Sequence, residues 1–181
     1  SLAILRLRDA GKLSLDDPIT RTLPELPALR YPTGDSAPIT IRQLLTHTSG
    51  IGYSWSDPGL ALVQRKTNKG GETELPLVHA PGEKWTYGAS TKVLGDVVEK
   101  LSGERIDVFT DRHIAKPLGM KDTFYEVPKA EYARVVTTNQ KDAAGKIAQT
   151  QNPDTIPVSL RGDGGLLSTA PDYGKFLQML L

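Results

Sequence analysis

Apolar residues recur along much of the chain with helical spacing. Leu2, Ile4, Leu5 and Leu7 open it as an amphipathic stretch, and Gly11 supplies the left-handed residue that stops such a helix. Leu13 and Leu15 then alternate through a turn bent by Asp16, Asp17 and Pro18. Pro24, Pro27, Pro32 and Pro38 mark a connection, after which Thr40-Ile41-Arg42-Gln43 fits a capping box. Leu44 and Leu45 give that helix its apolar face, and Ser49-Gly50 is the expected stop. Asp57-Pro58 begins a short helix through about Gln64. Residues 67–81 read as loop, punctuated by Gly70, Gly71 and Pro76.

The strongest pattern lies at 81–103. A turn at Pro81-Gly82 precedes Trp85 and Tyr87, then Val93, Leu94, Val97, Val98 and Leu101 fall on one helical stripe that Gly103 ends. Ile106, Phe109 and His113 continue as a further helix until Pro117. Residues 123–127 and 131–138 carry β-branched and aromatic side chains at strand length, and 142–146 read as a hairpin turn. Thr169-Ala170-Pro171-Asp172 starts a last helix with Tyr173, Phe176, Leu177 and Leu180 on one face. The pattern is therefore α+β and helix-rich, with no internal repeat.

Boundary signals change the picture at both ends. The first helix has a stop but almost no start, the last has a start but no stop, and the only methionines are Met120 and Met179. The expectation is a single partial domain over residues 1–181, continued by a missing remainder that would be its first partner.

Composition narrows the function classes. With 22 Lys+Arg against 21 Asp+Glu, the formal charge of +1 offers no long-range field for nucleic acid. The longest apolar runs are four residues, so no membrane segment is expected, nor a signal peptide. There is no Cys, and His47, His79 and His113 lack metal-ligand spacing, so neither a metal site nor thiolate chemistry is expected. Gly70-Gly71 and residues 162–165 lack the spacing of a phosphate-binding loop, and no cofactor is expected. Asp16-Asp17 suit a turn better than a glycosidase pair, because adjacent carboxylates do not converge on one bond. Serine chemistry needs a base within reach, and no serine sits in Ser-x-x-Lys or Gly-x-Ser-x-Gly; Ser90-Thr91-Lys92 is one residue short.

Four blocks in order carry a resemblance. They are residues 2–19; Ile39-Thr40-Ile41-Arg42-Gln43-Leu44-Leu45-Thr46-His47-Thr48-Ser49-Gly50-Ile51; Pro81-Gly82-Glu83-Lys84-Trp85-Thr86-Tyr87 with the helix after it; and Gly164-Gly165-Leu166-Leu167-Ser168-Thr169-Ala170-Pro171-Asp172-Tyr173. Together they resemble the serine β-lactamase-like family of class C β-lactamases, D-alanyl-D-alanine carboxypeptidases and family VIII carboxylesterases. The resemblance implies the helical subdomain and flanking parts of the β-lactamase/DD-peptidase-like fold, incomplete at both ends.

The same resemblance implies a Ser-x-x-Lys nucleophile just before Ser1 and an edge-strand motif well after Leu181. Within the chain it puts Tyr87 at the tyrosine of the Tyr-x-Asn motif, as the catalytic acid/base. A free phenol has a pKa of about 10, so a phenolate base needs a nearby cation, which in the family is the Ser-x-x-Lys lysine. Spacing alone favours Tyr87 as a core residue, and the resemblance reverses that reading. Ala89 stands where β-lactamases have Asn, a substrate-side position without its amide, and 87–95 resemble the esterase form, from which Gly88 and Lys92 depart. Tyr53 and Trp55 are candidate walls of a substrate pocket, and His47 is expected to close a helix end or bond backbone carbonyls. The expected substrate is a small-molecule ester. The alternatives are a β-lactam or peptidoglycan amide, or a non-catalytic penicillin-recognising module.

Overall fold

The structure, a computed structural model, describes residues 1–26, 38–68, 71–136, 139–149 and 158–181. Pro27, Pro32, Gly70, Thr137 and Thr138 of the sequence reading lie outside them. Six α-helices are described: α1 (Leu2–Asp9), α2 (Ile41–Leu45), α3 (Pro58–Thr67), α4 (Ser90–Ser102), α5 (Ile106–Thr110) and α6 (Ala170–Leu180). Two short antiparallel strands, β1 (Asn139–Lys141) and β2 (Ile147–Gln149), pair Asn139 with Gln149 and Lys141 with Ile147. No helix among the described residues is long and apolar enough to cross a membrane.

Helix α4 is the hub, packed against α1, α2 and α5. Its stripe of Val93, Leu94, Val97 and Val98 is buried in one cluster with Ile4 and Leu7 of α1, Ile41 and Leu44 of α2, and Ile106 and Phe109 of α5. Burying such side chains contributes about 1.5–3 kcal/mol each, which is why the stripe fixes the helix's orientation. Gly103 ends α4 at φ 73°. α1 and α4 run the same way: Ser1 and Leu2 line a cavity of about 250 Å³ with Thr91, Leu94 and Gly95, while Lys12 donates to the Leu101 carbonyl at 3.3 Å. The N-terminal ends of both helices therefore share one end of the molecule.

Local signals account for most boundaries. Thr40 caps α2 through the Gln43 N–H at 3.2 Å, and Gln43 Oε1 accepts the Thr40 N–H at 3.0 Å. Thr40→Ala removes the hydroxyl half of this box and is expected to cost about 1 kcal/mol, read as a lower urea midpoint at unchanged slope. Asp57 caps α3 ahead of Pro58, and Thr169 caps α6.

Three expectations need correction. α2 ends at Leu45 rather than at Ser49-Gly50, with His47 itself turning left-handed at φ 55°. Residues 123–127 form no strand; Phe124 alone bridges Leu167, each N–H donating to the other's carbonyl at 2.8 Å. Most of 131–136 belongs to a 3-10 turn, Lys129–Arg134, where Arg134 pairs with Glu131 three residues back and with Asp122 at 2.9 Å. Residues three apart eclipse in a 3-10 helix, and that pairing overrides the β-propensity of the segment. The turn at 142–146 is as read, with Gly145 at φ 79° between β1 and β2.

α6 is anchored by Asp172, which is 2% exposed. Its carboxylate accepts from the Asp122 N–H at 2.6 Å, the Thr123 hydroxyl at 3.1 Å and Lys175 at 2.8 Å. Burial pushes this carboxyl up, but the Lys175, Asp122 and Thr123 hydrogen bonds outweigh it and hold the pKa below the ordinary value. A depressed folded pKa gives stability that is present above the unfolded value and lost as pH falls through the folded one. The melting temperature is thus expected to drop steeply below about pH 4, and Asp172→Asn to flatten that drop while lowering stability at neutral pH.

Candidate active site

At the N-terminal end of α4 the chain gathers a cluster of rings. Tyr87 is 55% exposed, Trp85 64% and Trp55 74%, while Tyr53 beneath them is only 8% exposed. Tyr87 stacks on the His47 imidazole with centroids 5.7 Å apart and planes at 26°, and meets Tyr53 at 5.7 Å in a tilted contact. Trp85 stacks on Tyr87 at 6.4 Å, and Trp55 on Tyr53 at 5.3 Å. The structure thus brings together three of the four residues singled out by sequence. Ala89, the fourth, is fully buried in the core, so its methyl presents no surface at the cluster.

Backbone pairing explains how these segments meet. The His47, Thr48 and Gly50 carbonyls accept from the N–H groups of Thr86 (2.8 Å), Gly82 (2.7 Å) and Val78 (2.9 Å). His79, buried behind this seam, faces the Ala80 carbonyl through Nδ1 and Thr86 Oγ1 through Nε2, both at 2.8 Å. A carbonyl only accepts, so His79 Nδ1 carries a proton and donates to Ala80. Gly88 seats Tyr87: a β-carbon there would collide with the Ile51 carbonyl oxygen and lie 2.9 Å from Gly52 Cα. Ser90 is fully buried, and its hydroxyl shares a 2.8 Å hydrogen bond with Ser49, which removes it as a nucleophile.

The two phenols differ electrostatically. The Tyr53 hydroxyl donates to Asp163 Oδ2 at 2.9 Å, and Arg161 holds that carboxylate with two hydrogen bonds of 2.8 Å. Burial pushes the Tyr53 pKa up, and the hydrogen bond to the Asp163 carboxylate adds to it. Asp163 is held low, first by Arg161, against the opposing effect of burial. Tyr53 is thereby locked as a neutral donor. The Tyr87 hydroxyl has no hydrogen-bond partner among the described residues.

Sequence reasoning missed Arg161, Asp163 and His79. Gly162 was the available signal: a β-carbon on it would strike the Thr91 carbonyl, which shows how closely its loop docks on α4. The aromatic side of the site was legible through Trp85-Thr86-Tyr87. Among the described residues no group of three His, Asp or Glu converges as a metal site.

Comparison with known proteins gives the family. The beta-lactamase family model matches residues 1–181. Esterase EstB of Burkholderia gladioli is 39% identical over 137 residues, which cover 67% of this chain and 34% of EstB. The lovastatin esterase of Penicillium rubens is 32% identical over 208 residues, covering 100% of this chain and 52% of that enzyme. The solved structure of simvastatin synthase (LovD) from Aspergillus terreus, in its LovD6 mutant form, superposes with a TM-score of 0.82 at 27% identity, over 98% of this chain and 48% of that one. The chain spans about half the length of the curated relatives it matches, or less. Helix-rich, with only a two-stranded sheet among its described residues, it has the β-lactamase-type fold and esterase and acyltransferase relatives. On these grounds the chain belongs to the beta-lactamase family of serine hydrolases and acyltransferases.

Proposed function

We propose that the protein containing this chain cleaves carboxylic esters through an acyl-serine intermediate, with Tyr87 as the acid/base. The observation that carries the reading is the contrast between two neighbouring phenols, Tyr53 bound to Asp163 and Tyr87 exposed, its hydroxyl without a hydrogen-bond partner among the described residues. Environments that separate two like groups assign their roles, and only Tyr87 is available to exchange a proton with a substrate.

In this reading the serine and lysine of a Ser-x-x-Lys motif at the head of α1 meet Tyr87 at the shared end of α1 and α4. The lysine cation lowers the cost of phenolate. Tyr87 takes the serine proton as the serine oxygen bonds to the ester carbonyl carbon, then returns it to the departing alkoxide, which leaves as alcohol. Water attacks the acyl-serine, gives its proton to Tyr87, and the serine recovers a proton as the carboxylic acid is released.

Ester rather than amide is favoured by Ala89, whose buried methyl replaces the amide of the β-lactamase motif, and by the names of the two esterases above. A p-nitrophenyl ester and a chromogenic cephalosporin offered to the full-length protein test this. The ester is expected to be turned over with a kcat/KM at least about tenfold the higher, a difference of about 1.4 kcal/mol. Preference for the cephalosporin would make it a β-lactamase, and inertness to both a non-catalytic module.

A further inference from the structure

We propose that His47 is the positioning residue for Tyr87, fixing the plane of the phenol by face contact. The inference rests on the acid/base role given to Tyr87 above.

His47 bears two costs at once. It is one of only two non-glycine residues at positive φ among those described, and its Nδ1 is buried without a hydrogen-bond partner. Left-handed backbone disfavours a side chain with a β-carbon, and a buried unpaired nitrogen forfeits its bond to water. Asn tolerates that backbone better than most residues and Gly adopts it freely, so either would relieve the first cost without bringing a ring. What neither can supply is the face of the imidazole. That face lies against Tyr87 at 5.7 Å and 26°, with Trp85 at 6.0 Å on a tilted plane. Strain of this kind persists where the surroundings hold it for a purpose, and the contacts with Tyr87 and Trp85 are the only interactions of the imidazole among the described residues.

The backbone makes the contact rigid. The His47 carbonyl accepts the Thr86 N–H at 2.8 Å, one residue from Tyr87, and the Thr86 hydroxyl is tied to His79. Gly88 on the other side is pressed against Ile51. Tyr87 is thus pinned before and after, and its remaining freedom is rotation of the side chain. His47 stacked on the ring and Tyr53 in tilted contact with it limit that rotation, and Tyr53 is itself held by Asp163. A proton-transfer group displaced by a fraction of an ångström loses rate rather than affinity.

The test uses His47→Asn, which keeps the left-handed backbone and removes the ring, and His47→Phe, which keeps a ring and removes both nitrogens. Turnover of a p-nitrophenyl ester by the full-length protein is measured per folded molecule, with the folded fraction taken from near-UV circular dichroism. H47N is expected to lower kcat about tenfold with KM unchanged within about twofold, and H47F to recover at least about half of the wild-type kcat. Wild-type kcat in folded H47N overturns the proposal, as does a folded H47F no better than H47N. If H47F does not fold, H47N alone decides. Tyr87→Phe is run beside them. Its retaining full turnover overturns the acid/base reading and this inference together, whereas its losing turnover while H47N keeps it overturns this inference alone.

Discussion

Tyr87→Phe in the full-length protein is expected to lower kcat for an activated short-chain ester by at least about tenfold, because general acid/base transfer contributes roughly 10²–10⁴. The substitution is a clean one in this structure. Phenylalanine preserves the ring that stacks on His47 and Trp85 and tilts against Tyr53, and the hydroxyl it removes has no partner among the described residues to leave unpaired. Stability should therefore stay within about 0.5 kcal/mol of the parent. A proton moved only in the transition state affects kcat and kcat/KM equally, so KM should be unchanged. Steady-state kinetics with a p-nitrophenyl ester reads all three quantities, and turnover retained within twofold would remove Tyr87 from the chemistry.

Gly88→Ala is expected to be the most destabilising single methyl addition around the site. Its β-carbon would overlap the Ile51 carbonyl oxygen and sit 2.8 Å from the Ile51 carbonyl carbon and 2.9 Å from Gly52 Cα, all backbone atoms that no rotamer change can move. Relief requires separating residues 51–52 from 87–88, which opens the seam that sets Tyr87 against Tyr53. A loss of about 3 kcal/mol or more is expected, a large part of the roughly 5–15 kcal/mol that keeps a domain folded. Urea unfolding measures it. A midpoint like the parent's would mean that the approach of Ile51 to Gly88 is much looser than the structure has it.

Gly88 also illustrates what was legible in the sequence. It departs from the esterase form of the motif, and in the structure it is what allows the Ile51 carbonyl to pass. Signals that act within a few residues were read correctly: the capping box at Thr40, the stripe on α4, the left-handed Gly103 and the cap at Thr169. Residues 131–136 were misread because propensity favours strand there, while the Glu131–Arg134 pair and the reach of Arg134 to Asp122 favour a tight helix. The contacts that make the site lie far apart in sequence. His47 meets Tyr87 and Tyr53 reaches Asp163 across 110 positions, and no periodicity announces either pair. The resemblance supplied Tyr87 and the sequence offered Tyr53 and Trp55, while the structure added the His47 ring contact, Arg161 and Asp163.

If Tyr87 serves an acyl-serine hydrolase, rapid mixing of the full-length protein with p-nitrophenyl acetate, followed by intact-protein mass spectrometry, will catch the acylated enzyme. A single acetyl adduct is expected on the serine of a Ser-x-x-Lys motif at the head of α1, formed at least about tenfold more slowly in Tyr87→Phe. Ester turnover without any adduct, or an adduct that forms equally fast in the two proteins, would contradict it.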